Sequence, residues 1–246
     1  MEVLKAEHIS KDFDAKPVLR DVTVSLEEGE LVSILGLSGS GKTTLLNIIS
    51  GLTVPDEGKV TLAGRDITGR PGQVSYMLQK DLLLEHKTVI DNVSLPLVIS
   101  GMKKEEARRQ AEPYFGRFGL SGTQDLYPSQ LSGGMRQRAA LLRTYLCSHG
   151  AVLLDEPFSA LDMITKGQMH EWYLSVMRDL GLSTVLITHD VDEAILLSDR
   201  ICLLTGTPGR IRHEIRIETP REERTGFSLT PEFLAYKQQV MALLRE

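Results

Sequence analysis

Gly36-Leu37-Ser38-Gly39-Ser40-Gly41-Lys42-Thr43 fills every fixed position of the pattern G-x-x-x-x-G-K-[ST]. An apolar run, Leu31-Val32-Ser33-Ile34-Leu35, precedes it, and Thr44-Leu45-Leu46-Asn47-Ile48-Ile49 continues it as a helix-like stretch. Strand, glycine loop and helix are the context this motif requires. The glycines let successive backbone N–H groups point into one concavity, and the helix N-terminus adds partial positive charge. Lys42 then reaches the β- and γ-phosphates of a nucleotide, and the Thr43 hydroxyl binds Mg²⁺. An ordinary glycine turn before a helix needs neither a lysine nor a threonine at these two places. The stretch predicts a nucleoside triphosphate site.

Working outward, the 246 residues are 41% hydrophobic and 25% charged, an ordinary globular composition. The net charge of −5 supplies no basic field, so nucleic acid is not an expected partner. Cys147 and Cys202 form no C-x-x-C and read as small buried hydrophobes in a reducing compartment. The first eight residues hold no apolar core of a secretory leader, and no apolar run approaches the roughly 18 residues of a membrane span. A cytoplasmic location is expected.

Val22, Val24 and Leu26 alternate with Thr23, Ser25 and Glu27, the period of a half-buried strand. Short strands are expected at Lys59–Leu62 and Val74–Leu78, separated from the first helix by Thr53-Val54-Pro55-Asp56-Glu57-Gly58. From about 80 to 150 the character becomes helical: Asn92–Ile99, Lys103–Phe118 and Ser132–Cys147, broken by Gly101, Gly119 and Pro128. Strands resume at Ala151–Leu154, Thr184–Ile187 and Ile201–Leu204. Between them fall an amphipathic helix over 166–180, with Met169, Trp172, Val176 and Leu180 on its core stripe, and a helix over Val191–Leu197. Strand and helix alternate, which predicts a mostly parallel, helix-covered sheet. Thr230-Pro231 opens a last amphipathic helix carrying Phe233, Tyr236, Val240 and Leu244. His86, Lys87, His149 and His170 read as solvated or half-buried, and Met77, Met135, Met163 and Met169 as packing.

Ala151-Val152-Leu153-Leu154-Asp155-Glu156 is an apolar strand ending in two carboxylates. A carboxylate at a strand's carboxyl end beside a phosphate loop is placed for magnesium, which nominates Asp155. Glu156, one residue on, can address an attacking water.

Leu131-Ser132-Gly133-Gly134-Met135-Arg136-Gln137-Arg138 resembles the signature sequence of the ATP-binding-cassette (ABC) family and, as in that family, precedes the carboxylate strand. Ser132 suffices as a plain helix cap, but a cap does not explain two following glycines, which leave the N–H groups open to a ligand. In the family the signature of one subunit closes on the γ-phosphate held by the other. The resemblance extends in order along the chain. Gln79 matches the glutamine that senses Mg²⁺ and the attacking water. Ser159-Ala160-Leu161-Asp162 resembles the loop that pairs across the dimer, with Asp162 beside the nucleotide. His189 matches the histidine that contacts the γ-phosphate. Phe13 stands where an aromatic stacks on adenine, with Val18 as its apolar neighbour.

The resemblance therefore implies an α/β P-loop NTPase cassette with a RecA-like parallel sheet core, an N-terminal antiparallel β subdomain and a helical signature subdomain. It implies an ATPase domain over 1–220 and a tail over 221–246, with no room in that tail for a further regulatory barrel. Glu193-Ala194, Ser198-Asp199-Arg200 and Thr207-Pro208-Gly209-Arg210-Ile211 are similar to the nitrate, sulfonate and taurine type of importer cassette, a group that includes carriers of pyrimidine precursors of thiamine. Implied with it are ATP and Mg²⁺ as ligands, a second ATPase subunit sandwiching ATP, transmembrane permease subunits, and an extracytoplasmic solute-binding protein acting through the permease. Glu85 stands where relatives often have proline, in the segment that faces the permease, and Leu142-Arg143-Thr144-Tyr145 replaces an alanine-rich continuation of the signature helix. A non-transport ATPase switch of the same family would carry two cassettes or a long coiled coil, and a GTPase would carry N-K-x-D; neither pattern occurs.

Overall fold

The computed structural model describes residues 1–147, 150–224 and 226–245; His149 lies outside them. β1 (Glu2–Phe13) and β2 (Lys16–Glu27) form an antiparallel hairpin. Both residues of its turn, Asp14 and Ala15, are left-handed, with φ 50° and 61°, the backbone sense that matches strand twist in a tight hairpin. Val22, Val24 and Leu26 are buried while Thr23 and Glu27 are exposed, as the alternation predicts. After β3 (Leu31–Leu35) and α1 (Lys42–Ile49), β4 (Glu57–Leu62) and β5 (Arg65–Asp66) complete a four-stranded antiparallel sheet in the order β2-β1-β4-β5.

The second sheet also contains β6 (Ser75–Met77), β7 (Ala151–Asp155), β8 (Ser183–Thr188), β9 (Arg200–Thr205) and β10 (Arg210–Arg216), in the order β10-β9-β3-β8-β7-β6. Every pairing is parallel except β10 on β9. β3, β7 and β8 are buried at every residue, the signature of strands covered on both faces.

The helical part breaks more often than its periodicity suggests. The stretch read as one helix over Asn92–Ile99 is α2 (Val89–Val93) and α3 (Leu95–Ile99), with Pro96 in the first turn of the second. The stretch over Lys103–Phe118 is α4 (Lys104–Ala111) and α5 (Tyr114–Arg117), interrupted at Pro113, which has no N–H to continue the ladder. α6 (Gly133–Leu146) follows the signature, with Ser132 as its cap. α7 (Met163–Leu180) starts three residues earlier than read, because Asp162 accepts from the Ile164 and Thr165 N–H groups. Its core stripe is Met169, Tyr173, Val176 and Met177; Trp172 and Leu180 are only half-buried, and Met163, read as packing, is 86% exposed.

α8 (Val191–Leu197) and α9 (Pro231–Leu243) complete the set. One core fills the space between the parallel sheet and α2, α6 and α7, around Phe115, Leu142 and Tyr173. A second lies between the two sheets and α1, around Leu46, Val60 and Val185. Phe227, Phe233 and Val240 from the tail share a third with Ile195 and Leu203. Arg224 is buried beneath this tail, donating to the carbonyls of Ile195, Leu196 and Ser198 at 3.3, 3.1 and 2.7 Å at the end of α8. Burial pushes its guanidinium down to about 10. Cys202 is buried as expected, and Cys147 is half-buried.

Candidate active site

β3, β8, β7 and β6 are neighbours and parallel, so their carboxyl ends meet at one edge of the sheet. β3 runs into the glycine loop, β8 into His189, β7 into Asp155-Glu156, and β6 toward Gln79. Topology alone brings together residues up to 153 positions apart (His189 against Gly36). A cavity of about 580 Å³ opens there, lined by Val18, by Ser38, Gly39, Gly41, Lys42, Thr43 and Thr44, and by Gln79, Glu156 and His189.

The loop needs its glycines for two different reasons. Gly41 caps α1 at φ 95°, and a Cβ there would lie 2.7 Å from the Leu19 side chain. Gly36 passes so close to β9 that a Cβ would lie 2.3 Å from the Leu204 carbonyl oxygen. No side chain caps α1 and no acidic residue sits in its first turn, which leaves its N-terminal N–H groups and dipole to an anion. Lys42 Nζ donates to the carbonyls of Gly36 at 2.8 Å and Leu37 at 3.0 Å. Burial lowers the pKa of this ammonium, against the pull of Glu156 and Asp155.

Asp155 is buried at the end of β7. Thr43 Oγ1 and the Tyr76 hydroxyl both donate to its Oδ2, each at 3.4 Å. Burial, with Glu156 adding to it, raises the Asp155 carboxyl above the ordinary aspartate range, and burial raises the Tyr76 phenol. A buried carboxylate beside a hydroxyl is a hard oxygen donor set that suits Mg²⁺, which takes few protein ligands and completes its shell with phosphate and water. Among the described residues no group of three or more His, Cys, Asp or Glu forms a self-sufficient metal cage. The donors fit a metal that arrives with its nucleotide.

Glu156 stands at φ 46°, left-handed for a side chain that does not favour it, at a cost of roughly 1–3 kcal/mol. Its N–H donates to the Ile187 carbonyl at 3.0 Å, and its own carbonyl accepts from Ser159 N–H at 3.2 Å and Ser159 Oγ at 2.9 Å. Those bonds hold the turn that aims the carboxylate back over the loop. Gln79 Nε2 donates to Glu156 Oε2 at 3.1 Å, and His189 Nδ1 lies 3.0 Å from Glu156 Oε1. Gln79, Glu156 and His189 form one connected group.

Phe13, Ser132, Gly133, Gly134 and Asp162 do not line this cavity. Phe13 is 46% exposed at the end of β1, with Lys11 Nζ 5.4 Å from its ring centre. Ser132 Oγ accepts from Met135 N–H at 3.3 Å. Gly134 abuts α7, where a Cβ would lie 3.4 Å from Thr165 Cγ2. The signature glycines and Asp162 thus sit near one another at two helix starts, outside the lining of the cavity.

A family model described as ABC transporter matches residues 19–159. The chain belongs to the ABC transporter family. It is an ATP-binding and ATP-hydrolysing ABC cassette. The formylaminopyrimidine import ATP-binding protein ThiZ of Halalkalibacterium halodurans is 42% identical to it over 100% of this chain and 97% of that protein. The nitrate import ATP-binding protein NrtD of Synechocystis is 38% identical over 92% and 88%, and the taurine import ATP-binding protein TauB of Escherichia coli O157:H7 is 36% identical over 99% and 98%. Among solved structures, the dimeric structure of MJ0796, a bacterial ABC transporter cassette, matches with a TM-score of 0.75 at 29% identity, covering 88% of this chain and 100% of that one. The cbiO1 structure from Clostridium perfringens, at 21% identity and a TM-score of 0.80, shares the fold.

Two features of this ABC cassette escaped the sequence reading. The Tyr76 hydroxyl on Asp155 could have been noticed as a polar tip inside a buried strand. Gly209 presses on the phosphate loop, where a Cβ would lie 2.1 Å from the Ser40 carbonyl oxygen; in the sequence Thr207-Pro208-Gly209-Arg210-Ile211 carried only the likeness to importer cassettes.

Proposed function

We propose that this chain is the ATP-hydrolysing motor subunit of an importer for a small anionic or heterocyclic solute of the nitrate, sulfonate and taurine class. The joining of Gln79, Glu156 and His189 at the mouth of the phosphate loop carries the motor part of this reading, and the likeness to import ATP-binding proteins supports the solute class. In this reading the loop N–H groups and Lys42 hold the phosphates, and Val18 and Phe13 face the base. Thr43, Asp155 and Gln79 would hold Mg²⁺, which when bound would supply neutralisation of phosphate charge. Glu156 accepts a proton from the attacking water, while Gln79 and His189 keep its carboxylate in place. With His189 Nδ1 turned to Glu156, the other ring nitrogen is left for the γ-phosphate.

Ser132, Gly133, Gly134 and Asp162 serve the nucleotide of a second copy, which accounts for their lying outside their own chain's cavity. Residues 1–220 are the ATPase domain, and 221–246 a tail packed on it. A groove of about 410 Å³ is lined by Leu78, Leu82, Leu95, Pro96, Ile99 and Arg143. Leu82 is 52% exposed and Ile99 78%, an apolar surface suited to a permease. Among the described residues no helix is long and apolar enough to cross a membrane. The chain would work at the cytoplasmic face through that permease, and meet a solute-binding protein only through it.

The test is uptake of labelled taurine, nitrate and formylaminopyrimidine by cells lacking this chain and complemented with either the parent or Glu156→Gln. Uptake restored by the parent alone supports the reading. Uptake of all three unaffected by the deletion refutes the solute class, and absence of Mg²⁺-dependent phosphate release by the purified chain refutes the motor.

A further inference from the structure

Two polar side-chain pairs, one helical turn apart, tie α7 to α8. Lys166 Nζ lies 3.0 Å from Asp190 Oδ2, and His170 Nε2 lies 3.6 Å from Glu193 Oε2. The first pair is half-exposed; the side chains of the second are 9% and 3% exposed. His170 Nε2 and Glu193 Oε1 are buried without a hydrogen-bond partner, and the polar contact between the two side chains is the 3.6 Å approach of Nε2 to Oε2. His170 also packs edge-on against Phe158, with ring centres 4.9 Å apart and planes at 75°. Phe158 itself is fully buried.

The connections matter more than the pair. Phe158 is two residues beyond Glu156, and Glu193 is four beyond His189. Glu193 is also anchored through its N–H, which donates to Asp190 Oδ1 at 3.2 Å. One imidazole therefore touches both segments whose near ends meet as Glu156 and His189, 3.0 Å apart. Stability alone gives little reason for such a pair, because buried polar groups that lack hydrogen bonds cost free energy that apolar groups of equal volume would not. Position is a different matter, since a polar pair has one preferred separation and an apolar contact has several.

We propose that His170 is a positioning residue for ATP hydrolysis: held between Phe158 and Glu193, it fixes the spacing of the two loops and thereby the Glu156–His189 contact. The proposal rests on the reading that this contact takes part in hydrolysis. It assigns no contact with nucleotide to His170.

The test compares His170→Phe, Glu193→Gln and His170→Gln in the full-length chain. Readouts are Tm, ATP affinity, kcat, and the ¹⁵N chemical shifts of the His189 ring, with Glu156→Gln as the reference for a broken contact. His170→Phe keeps ring volume against Phe158 but removes the polar pair. It is expected to move the His189 shifts toward the reference and to lower kcat roughly tenfold, within the ~10²-fold that a 1 Å misplacement costs. ATP affinity should stay within about twofold, since no cavity-lining group is altered. His170→Gln keeps a polar group beside Glu193 and should recover most of the loss. Should His170→Phe prove unstable by Tm, Glu193→Gln, which keeps shape and volume, is expected to give the same His189 shift and kcat loss. Unmoved His189 shifts in a variant with parental Tm would overturn the positioning role whatever the activity. Moved shifts with parental kcat would instead overturn the catalytic reading of the Glu156–His189 contact. A kcat loss in His170→Phe that persists undiminished in a His189→Ala background would also overturn the proposal.

Discussion

Thr43 Oγ1 donates to Asp155 Oδ2 at 3.4 Å, joining the start of α1 to the end of β7 beneath the phosphate loop. The carboxyl so held is raised above the ordinary aspartate range, first by burial and then by Glu156. A carboxyl raised on folding adds stability at pH below its unfolded pKa and loses that contribution as pH rises through its folded pKa. At neutral pH the chain therefore carries a buried anion at a cost, and a cation relieves it. Asp155→Asn should raise the Tm of the nucleotide-free protein, by about 2–4 °C for each ~1 kcal/mol relieved. The gain should shrink as pH is lowered through the raised range, while stabilisation by ATP loses its dependence on Mg²⁺. Scanning calorimetry from pH 4 to 8, with and without Mg²⁺-ATP, checks both halves; an unchanged Tm with intact Mg²⁺ dependence would remove Asp155 from the metal site.

Gly209 donates its N–H to the Val18 carbonyl at 2.8 Å, and its carbonyl accepts from Arg20 N–H at 3.1 Å. Its α-carbon also sits against the Ser40 carbonyl. One glycine thus holds the Val18 wall of the cavity to the phosphate loop. Gly209→Ala should cost about 1–3 kcal/mol of stability by overpacking and weaken ATP binding by moving both walls. Arg210→Ala, at the exposed neighbour, serves as the control. Isothermal titration with ATP decides it, and parental affinity in Gly209→Ala would show that the hairpin has no part in shaping the site.

Lys42 is held above the loop by two carbonyls, and its charge is disfavoured by burial. Lys42→Ala should leave the fold intact, because the loop backbone is built by glycines and by its neighbours on β9. Losing a charge-assisted bond to phosphate removes about 1.5–3 kcal/mol, roughly a 10- to 150-fold weaker affinity for ATP. Unchanged affinity together with unchanged turnover would mean that nucleotide is bound elsewhere.

Glu156→Gln keeps the size and the hydrogen bond from Gln79 but gives up the proposed base and its negative charge. Turnover should fall by at least the ~10²-fold typical of losing a general base, with Mg²⁺-ATP still bound and a long-lived ATP dimer formed. Single-turnover phosphate release and light scattering measure the two effects. Turnover near the parent rate would leave the water to be positioned by Gln79 and His189 alone.

The site was largely legible because its residues follow strands that read as strands. Asp155, Glu156 and His189 each stand just after an apolar run, and parallel order then puts their carbonyl ends on one edge. β10 was not read as a strand. Ile211, His213 and Ile215 alternate with Arg212, Glu214 and Arg216, but four charges in seven residues masked an edge strand with one buried face. The breaks at Ser94 and Pro113 were lost because apolar spacing continues across them while the hydrogen-bond ladder does not. His170 was read as an ordinary half-buried histidine. Its burial depends on Glu193, 23 positions later, and no local pattern announces a pair at that distance.

Ser132→Arg tests the proposal that a second chain completes the site. Ser132 caps α6, and with Gly133 it is exposed on a face that does not line its own cavity. If that face closes on a partner's γ-phosphate, a long cation there blocks the approach while leaving each chain's own loop untouched. Nucleotide affinity measured on the monomer should therefore remain near the parent value, apart from the ~1 kcal/mol of stability lost with the cap. Hydrolysis should fall to the level of the isolated chain, and scattering should show no ATP-dependent dimer. Mixing with Lys42→Ala sharpens the outcome. In a mixed dimer, one site combines the intact loop of the Ser132→Arg chain with the intact signature of the Lys42→Ala chain, and the other site has neither. Turnover recovered on mixing two inactive variants is the expected result, because one complete site is rebuilt from two halves. Failure of Ser132→Arg to bind ATP as a monomer would place the signature in the chain's own site and refute the shared arrangement.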